Sequence, residues 1–499
     1  MKKTTIAVMI MTIIAKVFGF LRDKIVIHFF GFGVVSDAFM LSFGLPSLAL
    51  TVIAAALVTG FIPMYTRVKN KDPDQANYFV NNIFNIMIAF SLVVGMFMFL
   101  FPNVVVRISA SGFNEETYLL ATYFVRIIAF SVISVAIVQL GAGFLNVNNS
   151  FILPILISIP SNVIVIIFAI IASRTQNYNY IPIGTLLGFS IQGLMMYLFM
   201  RRYGFKYRFI IDYKDPHLRK MVKIAMPLLL TTVILTIDDI AMRSYATWIH
   251  GSGAYSYISN SFRLMGFATG LFVNGVLSVA YPTISDAAAK DDTVKVVHSM
   301  NDAILLISLF IIPATVGFIT LSYEVVAFVY GGGKVGVEEL TILGDVFKYN
   351  AMGLLFIGLR DLFIRIHYAY QDMKTPLRVQ SYYVVLDIVL FVVLGQLVGI
   401  KGLTIAASIG ALFSSMYLLN SLLNKFKRLG MHAIVKDLGK ILLSAIIMGV
   451  VILIFKNSVS GQFSDRVLLI LSVALGGLTY LGSVWLMKVE LVRSILSSS

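Results

Sequence analysis

Basic side chains recur in stretches of this chain that are otherwise almost entirely apolar. They cluster in the first apolar segment, on both sides of residue 250 and near residue 360, at Lys16, Arg22, Lys24, Arg243, Arg263 and Arg360. A cation at the middle of a bilayer costs at least about 2.5–3.5 kcal/mol, so such residues usually face a bundle interior or a watery cavity. Several cations without matching carboxylates therefore predict a central site for an anionic substrate.

The first apolar segment holds the densest set of charges. Lys16 and Asp23 are seven residues apart and share one helical face. Arg22 and Lys24 lie about 100° to either side of Asp23. One carboxylate cannot neutralise three cations, which favours a ligand site. The alternative is structural: Lys24 extends its ammonium group to the membrane surface, and Arg22 pairs with one of two carboxylates, Asp23 or Asp37.

Two further arginines extend this candidate cavity. Arg263 lies in a span without an acidic residue of its own, and its guanidinium offers a planar fork suited to phosphate. Its alternative role is an ion pair with the aspartates at 238–239. Near residue 360, Asp361 and Arg365 are four residues apart and are predicted to pair on one helical face. This pairing leaves Arg360 available for a substrate.

The composition defines the class of protein. Of the 499 residues, 59% are hydrophobic and only 13% are charged, and the mean hydropathy is +0.90. These values predict an all-α polytopic membrane protein. The absence of cysteine excludes disulfides and thiolate metal sites, and the six histidines show no metal-ligand spacing. We therefore predict no cofactor and no metal.

An intramembrane enzyme is the rival class. A prenyl-phosphate transferase needs clustered carboxylates for Mg²⁺, and the candidates are Asp238–Asp239 and Asp291–Asp292. Adjacent residues of a helix point about 100° apart, which makes the first pair a poor shared cage. The second pair is typical of a helix start on a solvated loop. Because the sequence also carries no nucleophile elbow or phosphate-cradling glycine motif, we expect a transporter and not an enzyme.

Apolar runs long enough to cross a bilayer predict about fourteen transmembrane helices. They fall at 5–31, 37–65, 78–101, 118–144, 152–173, 180–200, 221–248, 256–282, 300–323, 346–370, 378–398, 402–423, 438–456 and 467–487. Lys and Arg concentrate in loops on the side of the N-terminus, most densely between Arg201 and Lys223, which places both termini in the cytoplasm. This loop suits anionic lipid, so the net charge of +15 does not indicate nucleic-acid binding.

A weak internal repeat relates the two halves of the chain. GFGVVSDAFM at 31–40 parallels GSGAYSYISN at 251–260, and FIPMYT at 61–66 parallels AYPTIS at 280–285. Both copies run in the same direction across the membrane. Parallel repeats of this kind place a substrate site between two lobes, whose rocking gives alternating access.

The repeat and the loops together predict three parts. An N-terminal lobe of six helices covers 1–205, and a C-terminal lobe of six helices covers 206–430. An appended pair of helices covers 431–499. The longest basic loop divides the first six helices from the other eight, and the C-terminal pair carries few polar groups inside its spans.

Several motifs resemble one family of membrane transporters. The first two helices read AKVFGFLRDKIVIHFFGFGVVSDAFMLSFGLPSLALTVIAAALVTGFIPMYT, which resembles the opening stretch of the MurJ (MviN) family of lipid II flippases. This family belongs to the multidrug/oligosaccharidyl-lipid/polysaccharide exporter superfamily. Further segments that resemble the family are NSFRLMGFATGLFVNGVLSVAYPTIS, YEVVAFVYGGGKV, HYAYQDMKTPLRV and GIKGLTIAASIGALF. The resemblance spans roughly residues 5–425.

The resemblance implies two six-helix lobes around a cationic cavity, with a C-terminal hairpin that forms a groove for a polyprenyl tail. Lys16 falls where the family has Arg. Arg22, Asp23 and Asp37 match the family directly. Arg263 matches the arginine of helix 8. These residues would bind the diphosphate and nearby sugars of a lipid-linked precursor.

The sequence departs from the family in two places. Helix 2 reads LALTVIAAALVTG and lacks the Arg and Glu that many members carry there. Some members hold Na⁺ with an Asp in helix 7 and an Asn/Asp pair in helix 11. Here Arg243 and Tyr383 replace two of these ligands, and only Asp387 remains. We predict that Arg243 forms an ion pair with Asp387 in place of the sodium site, with Asp238 or Asp239 as the alternative partner.

We therefore expect a flippase that moves a polyprenyl-diphosphate-linked cell-wall precursor, lipid II, to the outer leaflet of a bacterial cell membrane. A flippase for undecaprenyl-diphosphate-linked polysaccharide repeats is the first alternative. The second is a cation-coupled drug antiporter, which should expose acidic cavity residues. The expected partners are the lipid-linked substrate and membrane lipids. We expect a monomer that binds no nucleic acid.

Overall fold

The computed structural model describes residues 2–56, 60–426, 431–459 and 461–489, which fold mainly into helices. They belong to two compact units, Met1–Ser256 and Tyr257–Ser499. The predicted all-helical class is confirmed. Two predicted segments reach beyond the described residues: 57–59 lie inside the span expected at 37–65, and 490–499 end the expected C-terminal pair.

The first unit contains eleven complete helices among its described residues. They are α1 Lys2–Phe30, α2 Val34–Ala56, α3 Ile62–Lys71, α4 Pro73–Leu100, α5 Pro102–Ser109, α6 Glu115–Ile128, α7 Ser131–Val147, α8 Leu153–Leu156, α9 Ser158–Thr175, α10 Tyr180–Arg202 and α11 Pro216–His250. In its core, the aromatic ring of Phe61 stacks on Tyr65 and Phe79, with ring centroids 5.3 and 5.9 Å away.

The next helix, α12, starts in the first unit and continues into the second. The helices from this point are α12 Ala254–Ala268, a π-helical turn Thr269–Val273, α13 Asn274–Ala289, α14 Thr293–Thr320, α15 Ser322–Tyr330, α16 Val337–Ala351, α17 Leu354–Ala369, α18 Lys374–Val398, α19 Ile400–Phe426, α20 Met431–Ser458 and α21 Asp465–Leu486. The short helix α15 covers the first part of the segment YEVVAFVYGGGKV.

Nine helices of the described chain are long and apolar enough to cross a membrane, or up to twelve if three broken pairs each count as one span. The pair α6 and α7 bends by 56°, and the pair α16 and α17 bends by 41°. The predicted spans at 118–144 and 346–370 are therefore each divided into two helices, and each stays a prediction as a single span. The predicted total of fourteen stays a prediction.

The break before α17 lies at a close contact with α19. Gly353 lies between α16 and α17 against Ser408 of α19, and a Cβ added to Gly353 would lie 2.9 Å from the Ser408 hydroxyl oxygen. Only a glycine allows this approach without a shift of the neighbouring helix. The sequence shows Gly353 but not its neighbour, so this break could not be placed in advance.

Acidic or amide side chains start several helices. Asn114 accepts a hydrogen bond from the Thr117 backbone N–H at 3.0 Å at the start of α6. Asp292 accepts one from the Lys295 backbone N–H at 3.0 Å at the start of α14. Such caps satisfy N–H groups that have no partner within their own helix. The interpretation of Asp291–Asp292 as a helix start is confirmed.

Four asparagines on α4 hold the basic connection between α10 and α11, residues 203–215, which we call the linker strap. Asn82 accepts a hydrogen bond from the Asp212 backbone N–H at 2.7 Å and donates one to the Asp212 carbonyl at 2.8 Å. Asn77 and Asn81 likewise both donate to and accept from the strap backbone, and Asn85 donates to two of its carbonyl groups. The strap is therefore fixed along α4 mainly through its backbone, and the Tyr78 hydroxyl adds a hydrogen bond to the Asp212 carboxylate at 3.2 Å.

The C-terminal helices pack within the second unit. Helices α20 and α21 pack on each other and on α14, and the Tyr480 hydroxyl donates a hydrogen bond to the Leu309 carbonyl at 2.7 Å. Lys456 of α20 forms an ion pair with Glu324 at 2.5 Å. The outer faces stay apolar and exposed, with Leu478 71% and Trp485 67% accessible. Such faces suit contact with lipid acyl chains.

The boundary between the two units lies at 256/257, whereas the predicted boundary between the lobes lies at 205/206. Helix α11 packs against α2 and α5, which explains its place in the first unit. The division into two lobes and a C-terminal pair stays a prediction.

Candidate functional site

Arg22 and Asp23 form a buried ion pair in the C-terminal half of α1. The Nε and Nη2 groups of Arg22 donate to one carboxylate oxygen of Asp23 at 2.9 and 2.8 Å. The Nη1 group donates to the side-chain oxygen of Asn162 on α9 at 2.8 Å. Arg22 is 4% exposed and Asp23 is 0% exposed. Arg22 therefore pairs with Asp23, as in the structural alternative that the sequence left open.

The Phe43 ring covers one face of this guanidinium, whose central carbon lies 3.7 Å from the ring centroid. A desolvated cation over an aromatic face gains about 2 kcal/mol. Breaking one side of a buried pair typically costs about 3–5 kcal/mol. These contacts hold Arg22 in one orientation. Lys16, by contrast, lies on an exposed part of α1.

Asp37 of α2 binds the start of α12. Its carboxylate accepts hydrogen bonds from the backbone N–H groups of Gly253 at 2.7 Å and Ser256 at 2.8 Å, and also from the Ser256 hydroxyl. The N-terminus of a helix carries a partial positive charge that favours an anion. All of this lies within the first unit. Because the carboxylate already has these partners, the geometry favours a fastening role over direct substrate contact, and the predicted substrate contact stays a prediction.

The fastening joins the two copies of the weak repeat. In the first copy, Ser36 exchanges hydrogen bonds with the backbone of Gly33 at 2.9 and 3.1 Å and so starts α2. In the second copy, Ser256 stands at the corresponding position at the start of α12 but bonds Asp37 of the first copy. The motif of two glycines followed by serine is therefore a helix-start motif, and its two copies are in direct contact.

Arg243 pairs with Asp239, one turn earlier on α11. The Arg243 Nε group lies 2.9 Å from both Asp239 carboxylate oxygens, and the guanidinium lies 5.3 Å from the Tyr255 ring centroid. This is the alternative that the sequence left open. Asp387 belongs to the second unit, and its pairing with Arg243 stays a prediction. Asp239 already neutralises the charge of Arg243.

In the second unit, Arg360 lies over the Tyr383 ring with 5.6 Å to its centroid and contacts Asp361 at 3.5 Å. The predicted pairing of Asp361 with Arg365 is wrong, because the Arg365 guanidinium lies instead over the Tyr281 ring at 5.8 Å. Arg360 therefore shares the charge of Asp361, contrary to the expectation that it has no partner on its own helix.

Asp387 of α18 is completely buried against α19. A Cβ added to Gly410 would lie 2.0 Å from one Asp387 carboxylate oxygen and 2.7 Å from the Tyr383 ring. Gly410 therefore makes room for the carboxylate, a role that sequence reasoning missed. Arg263 of α12 is half-buried, and its positive charge interacts electrostatically with the buried Tyr330 hydroxyl. Arg263 remains a predicted substrate ligand.

The structure divides the predicted site residues between the units. Lys16, Arg22, Asp23, Asp37 and Arg243 belong to the first, and Arg263, Arg360 and Asp387 belong to the second. Sequence reasoning also missed the polar residues around Arg22, of which Asn162 is one. The available signal was an amide side chain inside an apolar span, since intramembrane polar groups usually face a bundle interior.

Long apolar helices with broken spans and a buried arginine–aspartate pair define a multi-pass membrane protein of the transporter class. The sequence model of the family described as "Lipid II flippase MurJ" matches residues 26–474. The chain belongs to this MurJ family.

Relatives of the chain match over nearly its whole length. A "Probable lipid II flippase MurJ" of Thermotoga maritima is 26% identical, covering 99% of this chain and 98% of the relative. One of Rickettsia prowazekii is 24% identical, covering 96% of both. A solved structure of "Lipid II flippase MurJ, inward closed conformation" is 24% identical with a TM-score of 0.83, over 98% of this chain and all of that one. An inward-facing multidrug resistance MATE transporter of the MOP superfamily shares the fold, with 14% identity and a TM-score of 0.71 over 83% of this chain and 95% of that one.

Proposed function

We propose that this protein is a flippase that moves lipid II from the cytoplasmic to the outer leaflet of a bacterial cell membrane by alternating access. The observation that carries the proposal is the match of residues 26–474 to the lipid II flippase family. The arginines inside apolar helices, of which Arg22 is buried, support it, because a polyprenyl diphosphate needs cationic partners within the membrane. No covalent chemistry is required for this movement.

The arginines predicted from the sequence are proposed as ligands of the diphosphate. Arg22 and Arg263 offer planar guanidinium groups that suit phosphate oxygens, and Arg360 and Lys16 add positive charge. Arg22 is already oriented by Asp23, so its remaining N–H groups point in fixed directions. Each charge-assisted hydrogen bond contributes about 1.5–3 kcal/mol, or roughly tenfold to a hundredfold in affinity.

The Asp37 fastening fits one step of the transport cycle. With the predicted orientation, α2 and α12 both start at the outer face, so the bonds from Asp37 to Gly253 and Ser256 close that side. Substrate release then requires these bonds to break. A conformational change of this kind needs two states of similar free energy, and a few charged hydrogen bonds supply a difference of the right size.

The C-terminal pair, α20 and α21, is proposed to guide the polyprenyl tail, since its exposed faces are apolar. Both termini are proposed to lie in the cytoplasm because the basic loops, including the linker strap, lie on their side. The protein is proposed to act as a monomer, with membrane lipids as its other partners, and not as an enzyme.

The test is transport by the purified protein in vesicles. Lipid II placed in one leaflet should reach the other in the presence of the protein, and vesicles with the Arg263→Ala variant should not support this. An undecaprenyl-diphosphate-linked oligosaccharide of a different glycan serves as the competing substrate. Transport of that lipid without lipid II would favour the polysaccharide-repeat alternative, and transport of neither would reject the proposal.

A further inference from the structure

A cavity of about 250 Å³ lies inside the first unit, next to the Arg22 guanidinium. We propose that this cavity binds a neutral sugar of the substrate head group, an inference that rests on the proposed function. Among the described residues that line the cavity, Arg22 is the one arginine, and Asp37 is not one of them. The cavity would therefore recognise an uncharged part of the substrate.

The cavity is walled by five helices of one unit. Arg22 comes from α1, Phe43 from α2, Gln139 from α7, Ser161 from α9 and Gln192 from α10. Ser47 of α2 also lines it and is exposed, so the cavity is open on that side. A ligand can therefore enter without unfolding a helix.

Close helix contacts hold the walls in place. A Cβ added to Gly188 of α10 would lie 2.9 Å from the Ser161 carbonyl oxygen on α9. A Cβ added to Gly193 of α10 would lie 2.9 Å from the Ser134 side chain on α7. Helix α10 is therefore packed tightly on both neighbours around Gln192. A site on rigid elements of this kind is organised before its ligand arrives.

Several polar groups in the cavity lack partners within the part of the chain that the structure describes. The side-chain amides of Gln139 and Gln192 and the hydroxyl of Ser161 make no hydrogen bond to any of those residues. Arg22 uses three of its five N–H groups, two toward Asp23 and one toward Asn162. Polar groups inside a bundle are normally satisfied by protein, water or ligand, so these groups are available to a ligand.

Apart from Arg22, whose proposed ligand is the diphosphate, the lining suits a neutral sugar. Amide and hydroxyl groups both donate and accept hydrogen bonds, as sugar hydroxyl and N-acetyl groups do. Among the described residues that line the cavity, Arg22 carries the only charge, and Asp23 balances it. The Phe43 and Phe189 rings, with centroids 5.1 Å apart, supply an apolar surface for the CH face of a sugar ring.

The experiment compares two lipids that differ only in the head group. Binding of lipid II and of undecaprenyl diphosphate to the purified full-length protein is measured by microscale thermophoresis. The wild type should bind lipid II more tightly. A double variant, Gln139→Met with Gln192→Met, should lose about tenfold to a hundredfold in affinity for lipid II, because two hydrogen-bonding amides are removed at nearly constant size. Its affinity for undecaprenyl diphosphate should not change.

The exposed Gln396→Met substitution on α18 is the matched control and should leave both affinities unchanged. Unchanged binding of undecaprenyl diphosphate by the double variant also shows that it is folded. Wild-type affinity of the double variant for lipid II would mean that the cavity holds water only and would overturn the sugar site alone. An equal loss of both lipids would assign the glutamines a structural role and overturn it as well. A wild type that binds neither lipid would reject the proposed function and the sugar site with it.

Discussion

Asp37 in α2 and Ser256 in α12 are 219 residues apart in sequence, and the Asp37 carboxylate accepts the Ser256 backbone N–H at 2.8 Å. Both residues belong to the corresponding segments of the internal repeat. The first copy of the repeat therefore supplies the hydrogen-bond acceptor, Asp37. The second copy supplies the donor, the Ser256 backbone N–H at the start of α12.

Replacement of Asp37 by Ala should lower the free energy of unfolding by about 1.5–3 kcal/mol, because hydrogen bonds to a charged group are lost. Ser256→Ala should lower the free energy of unfolding by a smaller amount, since the backbone N–H groups of residues 253 and 256 still bind the Asp37 carboxylate. Denaturant titration of the purified variants measures both. Ser278→Ala, which removes an exposed hydroxyl bonded only to the local Gly275 carbonyl, is the control. Equal stabilities of the Asp37 and Ser278 variants would contradict the fastening role.

A second prediction separates structure from substrate binding at Arg22. Arg22→Gln or Asp23→Asn alone should destabilise the protein by about 3–5 kcal/mol, because each leaves a buried charge without its partner. The double substitution should recover much of this loss. If Arg22 also binds the diphosphate, the double variant should remain inactive in the vesicle transport assay although it is folded.

The control for this series is Arg174→Gln, at the exposed end of α9. It should keep both stability and transport. Full transport by the double variant at Arg22 and Asp23 would show that the pair is structural only. Diphosphate binding would then depend on the other arginines, Arg263 above all.

Part of this arrangement could be predicted from the sequence because it depends on local chemistry. The helical class follows from composition, and the helix start at Asp292 follows from residue type. The pairing of Arg22 with Asp23 could be weighed because the residues are neighbours. The strength of this pairing could not be predicted from the sequence, because Asn162 and Phe43, which orient the guanidinium, come from other helices.

The side-chain contacts that the sequence did not predict depend on which neighbouring helix each helix face packs against. Gln139 and Gln192 sit in apolar spans, but only the packing of α7 against α10 turns both toward Arg22. The wrong pairing of Asp361 with Arg365 has the same origin: a spacing of four allows contact, and Tyr281 on another helix takes up Arg365 instead. Partners distant in sequence decide these contacts, and periodicity does not reveal them.

A third prediction concerns orientation. The chain has no cysteine, so single cysteines can be introduced without background. A cysteine at Phe209 in the linker strap, 77% exposed, should react with an impermeant thiol reagent only after the cells are opened. A cysteine at the exposed Lys334 should react in intact cells. The reverse pattern would overturn the proposed topology.

A fourth prediction concerns the linker strap. Asn82→Ala removes the two hydrogen bonds to Asp212 and should raise backbone hydrogen exchange over residues 206–212. Mass spectrometry of the exchanged protein measures this. Asn179→Ala, at an exposed position before α10, should leave the strap unchanged. Unaltered exchange in the Asn82 variant would show that the other asparagines are sufficient.

The last prediction concerns the turn between α17 and α18, which contains the QDMKTP motif. Burial raises the pKa of the Asp372 carboxyl, but hydrogen bonds from Thr375 and from His367 outweigh it and leave this pKa below its ordinary value. The carboxylate also accepts the backbone N–H groups of Lys374 and Thr375 at 3.2 and 3.0 Å, which fixes the start of α18.

Because the folded-state pKa of Asp372 is lowered, its contribution to stability is complete above the unfolded pKa of about 3.9 and is lost as the pH falls through the lower folded value. Asp372→Asn should therefore be less stable than the wild type at neutral pH, and the difference should shrink as the pH falls below about 4. Denaturant titrations of both proteins between neutral and acidic pH measure this difference. Asp286→Asn, an exposed carboxylate paired with Lys290, is the comparison and should change neutral-pH stability less, since exposed pairs contribute little. A difference for Asp372→Asn that stays constant down to acidic pH would mean that the charge of Asp372 does not stabilise the turn.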